Sequence, residues 1–216
     1  MTLGLRLEAY FRMRAFSRFL SIALHPVFMP TLSVWLLFQL DPHITYFLRP
    51  EQRWVALAMV AVMTAAFPIT SMLMLLRARV IGSLEMERRE ERIAPYGLTL
   101  IYYGMAWYLL QRTPLHPAVP AMMAGAFLAL FLTALITLRW KISAHMVGIG
   151  GLIGAVGGVY YLHGTEVLVP LSMAIVAAGA LGTARLIASD HTLGQVLSGA
   201  LLGFACVHAT VILAVW

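Results

Sequence analysis

Charge is scarce in this chain, and cysteine is scarcer. Only 11% of the 216 residues are Asp, Glu, Lys or Arg, less than half of the quarter or so found in soluble domains. With 61% hydrophobic residues and a mean hydropathy of +0.86, that scarcity excludes an ordinary soluble domain and points to an integral membrane protein. The single Cys206 lies in the last apolar segment, which excludes an internal disulfide, reads as packing and gives no basis for a cysteine-ligated metal. No metal ligand and no cofactor is expected. No Ser/Pro-rich linker, low-complexity tract or repeat divides the chain, so 1–216 reads as a single transmembrane domain. No small-residue cleavage site follows the first apolar run, so residues 1–18 are expected to stay attached.

What the chain does have is apolar length. A bilayer core of about 30 Å needs about 20 helical residues, and candidate segments fall at 21–40, 54–76, 96–110, 118–138, 146–162, 167–188 and 194–214. The expected architecture is an all-α bundle of six to seven transmembrane helices. The third segment is short and is followed by Thr113-Pro114-Leu115-His116-Pro117, so the third and fourth segments read either as two crossings or as a re-entrant hairpin. Before the first crossing, Leu3, Leu7, Tyr10, Phe11 and Met13 alternate with Arg6, Arg12 and Arg14. That pattern suits either a basic amphipathic helix on an anionic membrane surface or a frayed basic tail.

Positive charge is divided unevenly between the two sides. Arg6, Arg12, Arg14, Arg18, Arg77, Arg79, Arg88, Arg89, Arg92, Arg139, Lys141 and Arg185 fall on the side of the N-terminus, against Arg49, Arg53 and Arg112 on the other. The positive-inside rule therefore places the N-terminus in the cytoplasm. Topology and anionic membrane lipids account for the net charge of +6; nucleic acid, which needs a soluble basic face, is not an expected partner.

Three polar elements share that side. Arg185 ends the sixth segment and His191 opens the seventh, with Ser189 and Asp190 between them reading as caps. Arg185 either snorkels to the headgroups or holds an anion, and a histidine beside arginines is suited to nucleophilic or proton-transfer work near pH 7. Lys141, Ser143 and His145 stand where the fifth segment begins; Ser143 reads as a helix cap or as part of an anion site at the helix start. Gly148, Gly150, Gly151, Gly154, Gly157 and Gly158 follow, a smooth flank for close helix packing within the chain or in a homodimer. The run Glu85–Pro95 carries Arg88 and Arg92 one helical turn apart, as a self-paired loop or as a fork for phosphate. His25, beside Pro26 in the first segment, has no assigned role and reads as an interfacial histidine.

In order and spacing, these elements over roughly 85–200 resemble the tripartite signature of the type 2 phosphatidic acid phosphatase superfamily, as a divergent member. Arg185 and His191 match the family's last motif, with Ala184 in place of its serine and Gln195 in place of its aspartate. Ser143 and His145 match the middle motif, while Ile142 and Ala144 differ from it. Arg92 aligns with the first, where Glu85 stands for a lysine and Pro95 is displaced by two. The resemblance implies metal-independent hydrolysis through a phosphohistidine. His191 is then the nucleophile, His145 the acid that protonates the leaving oxygen, and Gln195 the residue that orients the His191 ring. Arg185, Arg92 and Arg88 or Lys141 would hold the phosphate oxygens, with Ser143 and the adjacent backbone N–H groups completing the cradle.

A site at a membrane boundary favours a lipid phosphate, such as phosphatidate, phosphatidylglycerophosphate or a polyprenyl diphosphate, and the expected setting is the cytoplasmic face of a bacterial inner membrane. Two other classes stay open. One is a lipid-phosphate carrier or binder that does not hydrolyse. The other is an ion-coupled transporter, against which stands the lack of charge in the middle of the spans.

Overall fold

The computed structural model describes residues 3–83, 91, 93–188 and 191–214, and the regular structure among them is all helical. Helix α1 (Leu3–Ala23) leads through a 3-10 turn (Pro26–Phe28) into α2 (Met29–Leu40), followed by the short α3 (Pro42–Thr45). Helix α4 (Pro50–Ala61) passes through a π-helical turn (Val62–Ala66) into α5 (Phe67–Arg77). Then come α6 (Ile93–Gln111), α7 (Ala118–Thr137), α8 (Ala144–His163), α9 (Leu168–Ala188) and α10 (Leu193–Leu213).

Among the described residues, six stretches are long and apolar enough to cross a bilayer: Phe11–Leu40, Pro50–Arg77, Ala118–Thr137, Ala144–His163, Leu168–Ala188 and Leu193–Leu213. The protein is an all-α integral membrane bundle, whose backbone polar groups are satisfied within each helix. Helix α6, with 19 residues, is about 28 Å long at 1.5 Å per residue. Its Tyr96, Tyr102, Tyr103, Trp107 and Tyr108 dilute its hydropathy. It is unbroken and pairs with α7 across a short connection, Trp107 stacking on Phe127 with centroids 6.3 Å apart. The third and fourth segments are therefore an antiparallel helix pair, of which α7 alone is among the six apolar stretches.

Prolines set the breaks. Pro26 and Pro30 sit in the first positions of the 3-10 turn and of α2, where a missing N–H does no harm but an upstream helix cannot continue. The π-helical turn precedes Pro68 in the same way and turns Thr64 inward. Buried Thr64 donates its hydroxyl to the carbonyl of Val27, 3.3 Å away, bracing the broken stretch between α1 and α2. Along α1, Phe11, Phe16, Phe19 and Ile22 are exposed together with Arg12, Arg14 and Arg18, while Ser17 and Ser21 are buried against α9.

Helices α2, α8 and α10 run in the same direction. Pro26 and Met29 lie against Gly148 near the start of α8, and Asp41 after α2 meets His163 at its end. Between α8 and α10, backbone meets backbone. A methyl carbon added to Gly154 would sit 2.7 Å from the Phe204 carbonyl oxygen, and one on Gly199 2.7 Å from that of Ser143. Only glycine permits that approach. Hydrocarbon tails remove the hydrophobic drive between helices, so packing of small residues holds this seam. The glycine flank expected from sequence is thus filled by α10 and α2. Met29, Met146, Ile149, Leu181 and Val196 fill one end of the bundle, and Leu37, Leu110, Met122, Val159 and Val211 the other.

Candidate functional site

The starts of α8 and α10, the end of α9 and the last turn of α1 converge at one end of the bundle. Ser143 N–H donates to the Gln195 carbonyl at 3.3 Å, which joins the first turns of α8 and α10. Ser143 occupies the N-cap position of α8 with extended backbone, yet its hydroxyl makes no capping bond. Its Oγ is fully buried and has no hydrogen-bond partner among the described residues. Leaving a buried hydroxyl unbonded costs about 1–3 kcal/mol, a cost that a polar ligand at the helix start removes.

His145 follows two residues later and points at α1. Its Nε2 lies 3.1 Å from the Ser21 carbonyl oxygen. A carbonyl only accepts, so Nε2 carries the proton and Nδ1 is the ring position left for chemistry. Arg185 reaches the same residue, with Nη1 donating to Ser21 Oγ at 3.4 Å. His25 completes the group: its Nδ1 accepts from Val27 N–H at 3.4 Å, and its ring meets that of His145 edge-on, at 5.2 Å and 80°. The Arg185 charge acts on both His25 and His145, and His191 lies within electrostatic range of His145. Ser143, His145, Arg185 and His191, from three separate segments, are thus brought to one end.

Other expected residues fall differently. The Gln195 side chain, expected to orient the His191 ring, is used in capping. Its Oε1 accepts from Thr192 N–H at 3.0 Å while Thr192 Oγ1 accepts from Gln195 N–H at 3.4 Å, a reciprocal capping box. That box uses the amide oxygen to satisfy a backbone donor of α10. Thr192, rather than Ser189 or Asp190, is therefore the N-cap; those two residues lie outside the described ones. Arg88 and Arg92 lie outside them as well. Lys141, half-buried, stands two residues before Ser143 in the connection from α7. Two participants were missed from sequence, His25 and Ser21. The dipeptide His25-Pro26 was the available signal for the first; nothing in the sequence marks Ser21, which acts through both its carbonyl and its hydroxyl.

The far end of α8 carries a different polar group, Asp41, His43 and His163, whose side-chain ligand atoms lie within 4.8 Å of one another. His145 and His163 are separated by 18 helical positions, about 27 Å along the axis. The two groups are therefore distinct sites.

No family model, curated protein or solved structure matches this chain. The class its fold defines is an integral membrane α-bundle, and its chemistry is read from its own side chains.

Proposed function

We propose that the protein is a membrane lipid-phosphate phosphatase whose site is the His145, Arg185, His191 and Ser143 group. The observation that carries this reading is that group itself: a guanidinium, two imidazoles and an unbonded buried hydroxyl gathered at the start of a long helix. A helix start with free N–H groups attracts anions, and the arginine fork adds the charge that phosphate oxygens need. In the reaction, a ring nitrogen of His191 attacks phosphorus and forms a phosphohistidine as the ester oxygen leaves. With the phosphate bound and His145 protonated on both ring nitrogens, Nδ1, the position its bond to Ser21 leaves available, gives its proton to that oxygen; water then cleaves the phosphorus–nitrogen bond and returns a proton to Nδ1. Arg185 and Ser143 hold the non-bridging oxygens, with Lys141, Arg88 and Arg92 as further cations. The resemblance to the type 2 phosphatidic acid phosphatase superfamily supports these assignments, and the charge bias supports a cytoplasmic site in a bacterial inner membrane.

Apolar helices surround this end, with Leu24, Met146 and Leu181 packed beside the polar group. A lipid phosphomonoester or diphosphate suits that setting better than a soluble ester. The test is phosphate release from phosphatidate, phosphatidylglycerophosphate and polyprenyl diphosphate by the purified protein in excess EDTA, with His191→Ala alongside. Release that persists in EDTA and disappears in the variant is expected. Strict metal dependence would sink the proposal.

A second reading, a lipid-phosphate binder that does not hydrolyse, is favoured by one observation: Gln195 replaces a carboxylate and is engaged in capping. Binding of the same lipids by folded protein, with no phosphate released, would select it.

A further inference from the structure

The polar group at the far end of α8 is built from segments distant in sequence. Asp41 ends α2, His43 lies in α3, and His163 is the last residue of α8. Asp41 is wholly buried, His163 nearly so, and the His43 side chain is 67% exposed. Asp41 Oδ1 accepts from His43 N–H at 2.9 Å and lies 3.0 Å from His43 Nδ1, while Oδ2 pairs with His163 Nδ1. Capping α3 needs only one of these contacts. Burial alone would raise the Asp41 pKa, but the hydrogen bonds from His163 and His43 outweigh it and hold the carboxyl below its ordinary range.

We propose that Asp41, His43 and His163 bind one divalent transition-metal ion, of which zinc is the best match. Two imidazole nitrogens and one carboxylate oxygen form a borderline donor set of the kind zinc takes when it keeps a fourth position open. Zinc–ligand distances of about 2.1 Å place tetrahedral donors about 3.4 Å apart. Donors already within 4.8 Å come to that spacing through small rotations, which the exposed His43 can make. The ion takes the place of the protons that now lie between the carboxylate and the rings, each neutral ring keeping its one proton on Nε2.

His116 adds a neighbouring donor without being a ligand. Its ring lies 5.2 Å from that of His163, and its Nδ1 accepts from Ala118 N–H at 3.3 Å. The lone pair on Nδ1 is therefore used and Nε2 carries the proton. His43 and His116 both line a cavity of about 250 Å³, which gives an ion beside His43 an open position for water or a small anion. The ion ties the end of α2 to the end of α8, about 27 Å from His145, and the inference does not depend on the phosphatase reading.

The experiment uses the full chain in detergent, with any affinity tag removed and metal stripped by EDTA. Zinc alone is titrated against a chromophoric chelator, with His43→Ala, Asp41→Asn and His145→Ala in parallel. His43 is exposed, and Asn keeps the oxygen that caps α3, so both variants are built to fold. One zinc per chain is expected, with affinity lowered about tenfold or more in His43→Ala or Asp41→Asn, the scale on which coordination-shell changes act, and unchanged in His145→Ala. No stoichiometric binding, a smaller loss in both variants, or a site lost in His145→Ala overturns the proposal.

Discussion

Gly199→Ala tests whether the seam between α8 and α10 sets the geometry of the site. The added methyl carbon would lie 2.7 Å from the Ser143 carbonyl oxygen and 3.1 Å from Met146 Cβ. Neither atom is the tip of a flexible side chain, so the backbones must part by several tenths of an ångström. Overpacking of this kind costs about 1–3 kcal/mol. The 3.3 Å bond from Ser143 N–H to Gln195 stretches as well, at a cost of about 1 kcal/mol. For a chain of this length each kcal/mol lowers Tm by about 2–4 °C, giving an expected fall of about 4–16 °C in a detergent melt. Phosphate release falls further than stability does, because a displacement approaching 1 Å at a reacting centre can cost about 100-fold. Gly179→Ala is the control, since nothing lies within 4 Å of a methyl carbon there. A Gly199→Ala protein that melts and turns over like Gly179→Ala would refute the idea that this contact sets the site.

The remaining predictions concern single side chains. His25→Ala removes both the cap on Val27 and the ring against His145; release should fall about tenfold or more while the protein stays folded, and unchanged release would make His25 a capping residue only. Gln195→Asp exchanges half of the capping box for a carboxylate one turn from His191. Tm should fall by a few degrees, since losing a cap costs about 0.5–2 kcal/mol, while phosphate release rises. Release that is unchanged or lower would show that Gln195 is not the counterpart of the family's aspartate. Chelation should lower Tm by freeing the ends of α2 and α8 without reducing phosphate release well below the melt; parallel loss of both would place a metal in the reaction.

The all-α membrane class was legible because long apolar segments leave few alternatives, and the glycines of α8 announced a close contact. Which helix filled that contact was not legible, since three others run near α8. The capping role of Gln195 was missed because its four-residue spacing from His191 suggests a shared helical face. The competing pattern, Thr192 followed three residues later by Gln195, is a capping-box signature and takes precedence because unbonded backbone donors lie nearest. The group around Asp41 was invisible in sequence. Its members are up to 122 positions apart, and each alone reads as a cap or an interfacial histidine. His25 is similar, for only the break at Pro26 turns it toward His145.

The glycine seam has one more consequence. Where main chain touches main chain there are no rotamers to exchange, so α8 and α10 act as a fixed ruler between Ser143 and Gln195. If a lipid phosphate is the substrate, as proposed, an opening for its headgroup would come from the opposite wall, where Ser21 ties α1 to His145 of α8 and to Arg185 of α9. Bonds of that kind contribute about 1 kcal/mol each, little enough for thermal motion to break and remake them. On the proposed function, α1 and α9 would serve as the door of the site, with α8 and α10 as its frame.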